Sequence, residues 1–245
     1  MNKSHSVSEL FEPAPSKSAY PSIPVLYALA RGSDATWIEG PHATLQSRDL
    51  LLDEASGGQM GSLHIRATSE GSAERWLEEA PVFSFIYLLA GALTLHAPDG
   101  DLTLGAGDTA IQEALVQDWP VSWTSDLQLV EITAGPRNQA RVASPERLLD
   151  FAAPGKVLHV EAAKQWVNRD VPENFEANGL RKFLIYRDFG AMAVTDRRIH
   201  IHQIDAVETP DGGTGWHVHS MSQLFYVTRG RVDIGGEGQG SIHLV

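Results

Sequence analysis

Slid along itself without a gap until Gly40 falls on Gly179, this 245-residue sequence meets residues of its own kind. At that one offset Leu45 falls on Leu184, Arg48-Asp49 on Arg187-Asp188 and Ile65 on Ile204. Ala67 then meets Ala206, Tyr87 meets Tyr226 and Gly91 meets Gly230. Eight identities between Gly40 and Gly91 are few, but the aligned segments also agree in character. FIYLLAGALTL (85–95) and LFYVTRGRVDI (224–234) are each an apolar strand, a glycine at a turn and a second strand. An internal repeat of this kind constrains the fold more than any local propensity. It predicts two copies of one β domain, near 23–136 and 156–245.

The rest of the pattern agrees. Short β-type runs at 63–67, 83–89, 92–96, 121–123 and 127–133 are separated by Gly, Asp and Pro. Similar runs follow at 184–186, 199–204, 224–227 and 231–234. Many short strands at this spacing predict an all-β sandwich or barrel. Helical signals lie in the middle: Ser144-Pro145-Glu146 reads as an N-cap with Pro at the first helical position, and Pro154-Gly155 as a stop. Residues 137–155 are therefore expected to form a helical linker, with a second short helix over 161–167. Residues 1–22, rich in Ser, Pro and charge, read as a flexible arm.

The two copies end differently. In the first, Leu95 is followed by a long stretch with Gly107-Asp108 and then by the strand LQLVEIT, which holds Ile132. In the second, Ile234 is followed only by the short run to Val245. By this comparison the second copy lacks a counterpart of LQLVEIT and of part of the stretch before it. Either the chain is a fragment or the second domain closes differently.

Composition removes several function classes. The chain has no cysteine, which excludes disulfides, thiolate metal sites and cysteine nucleophiles. A formal charge of −12 argues against nucleic-acid backbones as partners. The N-terminus has no apolar stretch of the signal-peptide kind, and the apolar run 83–95 falls short of the roughly 20 residues a membrane span needs. A soluble, cytoplasmic protein is expected.

The chemistry concentrates in GTGWHVHSMSQLFYVTRG (213–230). His217 and His219 are separated by one residue, so on a strand both imidazoles point to one face and can grip one cation. Gln223 shares their parity. Met221 and Phe225 share it too and are candidate walls of a pocket, or ordinary core. His202, in RIHIHQI, aligns with Leu63 of the first copy and is a further pocket candidate or a satisfied edge histidine.

The spacing His-x-His-x3-Gln-x6-Gly resembles the first motif of the cupin superfamily, in which the third position is usually Glu. The resemblance implies a double-stranded β-helix (jelly-roll) barrel, and the repeat extends it to a two-barrel bicupin with a truncated second barrel. It also implies one divalent transition metal, with Fe(II) the first choice and Mn, Ni or Zn fitting nearly as well. His217 and His219 would be ligands, and Gln223 a weak ligand or a pocket hydrogen-bonder. A carboxamide is neutral, so the ion would keep about one more unit of positive charge than with Glu. Gln at this position is shared with dioxygenase-like cupins that the segment resembles. The family's remaining histidine belongs to a second motif, and His243 comes too early for it.

In the first copy the equivalent positions are Glu78, Ala80 and Ser84, so that domain is expected to be metal-free. The functional expectation is a dioxygenase-type oxidoreductase acting on a small organic molecule, without membrane or nucleic-acid partners and with homodimer formation open. A metal-dependent lyase or isomerase of the same fold is the alternative, and a non-catalytic binding or regulatory protein a third. No phosphate loop or Ser–His–Asp pattern is present.

Overall fold

The computed structural model describes residues 28–34, 36–76, 83–112, 119–134, 158–160, 165–177, 181–195, 197–209, 213–215, 223–236 and 240–244. The expected arm at 1–22 and linker at 137–155 lie outside these residues. The chain divides into two compact units. The larger is Tyr27–Glu176 with Tyr186–Ile204; the smaller is Met1–Leu26, Ala177–Ile185 and Asp205–Val245.

Two antiparallel sheets build the larger unit. The first contains β1 (Ile38–Glu39), β2 (Leu45–Asp49), β3 (Met60–Ala67), β5 (Phe83–Ala90), β8 (Thr109–Gln112), β10 (Gln128–Ala134), β11 (Leu158–Val160) and β12 (Gln165–Asn168). Its strand order is β1-β2-β3-β10-β5-β8-β12-β11. The second contains β4 (Gly71–Ala73), β6 (Ala92–Ala97), β7 (Gly100–Gly105) and β9 (Val121–Trp123), in the order β4-β9-β6-β7. From β3 to β10 the chain passes back and forth between the two sheets, which is jelly-roll connectivity.

One core joins the two sheets. Leu45, Ile65, Ile86, Leu88, Leu129 and Val167 come from the first, and Leu93, Leu102, Leu104, Val121 and Trp123 from the second. Each such side chain, taken from water, contributes about 1.5–3 kcal/mol against the entropy of ordering. The alternation shows where one face meets this core: Leu45 and Ser47 are buried while Gln46 and Arg48 are half-exposed, and it ends at the exposed Asp49. On the outer face Phe189 packs on Phe85 and Tyr87, at ring centroids of 5.6 and 5.8 Å.

Two sequence expectations change here. In place of the end of the helix expected over 161–167, Gln165–Asn168 is a strand with all four residues buried. It pairs with β8 on one side, Trp166 opposite Ile111, and with β11 on the other, so pairing within the sheet outweighs a weak helical propensity. In place of the strand expected over 224–227, residues 223–228 have no regular structure. Their first-copy counterpart β5 lies between β10 and β8; among the described residues nothing pairs with 223–228 in that way.

The repeat recurs as geometry. β13 (Leu184–Asp188) has the bounds of β2 moved by the offset of the repeat, and α2 (Ala191–Val194) follows it as α1 (Leu52–Ser56) follows β2. Asp49 Oδ1 accepts the N–H of Leu51 at 2.7 Å, and Asp188 Oδ1 accepts that of Gly190 at 2.7 Å. Leu51 and Gly190 both adopt the left-handed conformation, with φ of +63° and +79°. Leu50 N–H binds Ser62 O at 3.1 Å, and Phe189 N–H binds Ile201 O at 3.2 Å. Gly91 and Gly230 close the comparison at φ +69° and +78°. β14 (His202–Ala206) pairs with β13, and β15 (Val232–Gly236) pairs with β16 (Gly240–Leu244).

Candidate functional site

His217, His219 and Met221 lie outside the described residues, as do Glu78 and Ala80. Gln223 is exposed, and Phe225 is 55% exposed, both in the smaller unit. His202 is in the larger unit, at the start of β14. His202 is therefore not described within one unit with any other predicted pocket residue. Among the described residues, no group of three or more His, Asp or Glu side chains has a metal-holding arrangement.

His202 belongs to a short polar chain. Its Nδ1 lies 3.3 Å from His200 Nε2, and His200 Nε2 lies 3.6 Å from Asp188 Oδ2. The neighbouring Asp188 carboxylate raises the pKa of His200, and burial opposes it. Burial and the neighbouring His200 charge lower that of His202. Burial works to raise Asp188, but His200 and the Gly190 N–H outweigh it and hold the carboxyl below its usual range. The shifts favour Asp188 as the carboxylate and His200 as the imidazolium of an ion pair, and disfavour the charged form of His202.

The sequence alone does not single out a second site, which the structure places on β10. Glu131, in the middle of that strand, is 3% exposed, and its single hydrogen bond among the described residues comes from Trp76 Nε1 at 2.8 Å. Its position follows from strand parity. Leu129, Glu131 and Thr133 share the inner face, and Glu131 stands opposite Leu63 of β3 and Ile86 of β5. Burial pushes its pKa up to about 7, with the Trp76 N–H pulling the other way.

Trp76 is held by aromatic neighbours. Its ring meets Trp123 edge-on at 6.1 Å, and His42 stacks on Trp123 at 5.4 Å. His42 Nε2 donates to the Trp76 carbonyl at 3.0 Å. The indole N–H is thereby aimed at the carboxyl before any ligand arrives. Beside Glu131 lies a cavity of about 260 Å³, walled also by Asp49, Asp53, Gly61, Leu63 and Thr133. Ser84, opposite Thr133 on the same inner face, is 3% exposed, and its hydroxyl has no hydrogen-bond partner among the described residues.

On the outer face of the same sheet, His64 takes the opposite shift. Burial, with Arg48 beside it, lowers its pKa to about 4. Arg48 Nε donates to His64 Nδ1 at 3.1 Å, which fixes that nitrogen as the acceptor of a neutral ring. Trp37 closes over the group, 4.0 Å from the Arg66 guanidinium and 5.1 Å from that of Arg48.

No protein-family model matches the chain, and no curated protein matches it. Among solved structures it is similar to KdgF from Halomonas sp., at 9% identity over 46% of this chain and 96% of that one, TM-score 0.36. It is similar to an RmlC-like cupin from Shewanella frigidimarina, at 14% identity over 46% and 94%, TM-score 0.36. A predicted oxalate decarboxylase from Thermotoga maritima is similar at 19% identity over 44% and 98%, TM-score 0.34. Likeness at that level carries no functional information.

Proposed function

We propose that this chain is a metal-dependent enzyme of the cupin type acting on a small organic molecule. Dioxygenase-type oxidation is the reaction class put first. The observation that carries the reading is the spacing His-x-His-x3-Gln-x6-Gly, whose glycine, Gly230, sits at φ +78°. Gly91 sits at φ +69° in the first copy, after the strand Phe83–Ala90. Only glycine takes that turn without strain, so the spacing ends on a conformational requirement as well as a letter.

The donor set fits such a role. Two imidazoles with one carboxamide suit a first-row divalent ion better than magnesium or calcium, which prefer all-oxygen cages. A metal held there supplies a Lewis-acidic, redox-capable centre with positions left for substrate. His217 and His219 bind and orient. Gln223, being neutral, leaves more positive charge at the centre and so draws an anionic substrate group. Phe225 offers an exposed aromatic face to an organic substrate.

Gln223 in place of the usual carboxylate also favours a second reading, a non-catalytic binding protein with a weakly held ion. Oxygen uptake after loading with iron(II) separates the two. Turnover of aromatic or diketone substrates that is lost in His217→Ala supports the enzyme. Metal retention without oxygen consumption moves the reading to a lyase, an isomerase or a binding protein.

A further inference from the structure

The outer face of the second sheet carries a side-chain group that the metal reading does not use. Leu93, Leu102, Leu104, Val121 and Trp123 turn into the core, so their neighbours Thr94, His96, Asp101 and Ser122 share the opposite face. His96 of β6 stands directly opposite Asp101 of β7, and Ser122 of β9 stands opposite Thr94, two residues before His96. The His96 backbone N–H donates to the Pro120 carbonyl at 2.8 Å, which ties the strand down beside Ser122. The imidazole bridges the other two side chains. Nε2 lies 2.8 Å from Ser122 Oγ, and Nδ1 lies 3.0 Å from Asp101 Oδ2. A carboxylate only accepts, so Nδ1 carries the ring proton and Nε2 of the neutral ring accepts from the serine hydroxyl.

We propose that Ser122, His96 and Asp101 form a hydrolytic triad that cleaves small activated carboxylic esters. Such a triad is recognised by geometry: a hydroxyl within hydrogen-bond reach of a base, and the base oriented by a third group. The three residues come from the adjacent strands β9, β6 and β7, so sheet pairing rather than a sequence motif brings them together. Ser72 and Thr94 stand opposite Ser122 on its two sides, on the same face, and their hydroxyls can donate to a developing oxyanion. Thr94 Oγ1 lies 3.0 Å from Thr103 Oγ1; with Thr103 as the donor, the Thr94 hydrogen is left for the oxyanion. Exposure sets the substrate class. The His96 side chain is 40% exposed and that of Asp101 58%, so water weakens the field at the site. An ester with a good leaving group reacts there, whereas an amide needs fuller protonation of its leaving nitrogen.

The step balances without an oxidant or reductant. Ser122 Oγ forms a bond to the acyl carbon while its proton passes to His96 Nε2, and Asp101 holds the imidazolium in place. The C–O bond to the alcohol breaks, and the departing oxygen takes that proton. Water then attacks the acyl-serine with His96 as base. The carboxylic acid leaves, and Ser122 recovers its proton.

Two probes of the full chain test this: diisopropyl fluorophosphate, which labels an activated serine, and p-nitrophenyl acetate, which reports ester turnover. The parent chain should be labelled on Ser122, located by peptide mapping, and should release p-nitrophenolate. Ser122→Ala should lose the label, and both Ser122→Ala and His96→Gln should lower ester turnover about 100-fold. Asp101→Asn should lower kcat about ten-fold at unchanged KM, because water screens its carboxylate, and Asp101→Glu should restore it. All three positions lie on the outer face, so the variants should fold, which near-ultraviolet circular dichroism of the tryptophans checks. No label, a label on another residue, or ester turnover unchanged in Ser122→Ala or His96→Gln would overturn the proposal. His217→Ala should leave the labelling untouched, so this site and the metal reading fail separately.

Discussion

Ser56 and Thr195 occupy equivalent places in the two copies, and each hydroxyl accepts the backbone N–H four residues ahead. Ser56 Oγ accepts the Met60 N–H at 2.9 Å and donates to the Met60 carbonyl at 3.2 Å. Thr195 Oγ1 accepts the Ile199 N–H at 3.0 Å and donates to the Ala191 carbonyl at 2.6 Å. Each hydroxyl closes the short helix that follows its strand. The correspondence reaches Thr68 N–H to Thr44 O and Val207 N–H to Phe183 O, both at 2.9 Å. A repeat with few identities is therefore held by a shared set of local hydrogen bonds.

The equivalent arginines of the two copies differ in burial. Arg187 is fully buried and donates to Asn168, the Gly107 carbonyl and Asp170. Arg48 is half-exposed and binds His64 and the Gly32 carbonyl. Arg187→Ala should lower unfolding free energy by roughly 3–5 kcal/mol, because it strands buried acceptors. Arg48→Ala should cost about 1 kcal/mol or less. Denaturant titration of both variants checks the contrast.

Leu51 sits at φ +63°, where its counterpart is Gly190. A non-glycine residue pays about 1–2 kcal/mol in that region, and glycine about 0.5–1 kcal/mol in chain entropy. Leu51→Gly should thus raise stability by up to about 1 kcal/mol, and Gly190→Ala should lower it by about as much. Thermal melts of the two variants read the signs.

Glu131 and His64 act on stability in opposite senses. The folded chain keeps the Glu131 proton up to about pH 7, whereas an unfolded glutamate releases it near 4.5, so stability falls as pH rises between those values. The full effect is on the order of 3 kcal/mol. Neutral His64, with a folded pKa of about 4 against 6.5 unfolded, makes stability fall as pH drops from 6.5 to 4. The two slopes largely cancel between about pH 4.5 and 6.5. Glu131→Gln should uncover the His64 slope, with stability rising with pH across that window in urea titrations.

Trp76→Phe removes the one donor that the described residues bring to a buried acid. Glu131 should then titrate still higher, and stability should drop by about 1–3 kcal/mol. The change in pH dependence distinguishes this from loss of ring packing, which would lower stability equally at every pH.

Much of the fold is legible in the sequence. The expected runs at 83–89, 92–96 and 127–133 fall within a residue of observed strands and 121–123 matches its strand, whereas no expected run covers β2, β7 or β8. Strand pairing is not legible: Gln165–Asn168 has no strong β signature until β8 and β11 flank it. Glu131 carries a readable signal, the single charged residue of the strand Gln128–Ala134, between Val130 and Ile132 and sharing parity with Leu129. What cannot be read is Trp76, far away in sequence, which supplies its hydrogen bond. The motif at 217–223 is the plainest chemical signal in the chain, and the described residues include only its last member, Gln223.

Elemental analysis tests that motif most directly. The full chain, purified without chelator, is compared with the His217→Ala/His219→Ala double variant. About one equivalent of a divalent transition metal in the parent chain, lost in the double variant, is the expected result. A parent chain with no metal above the buffer blank, even after incubation with iron(II), or metal retained in full by the double variant, would contradict it.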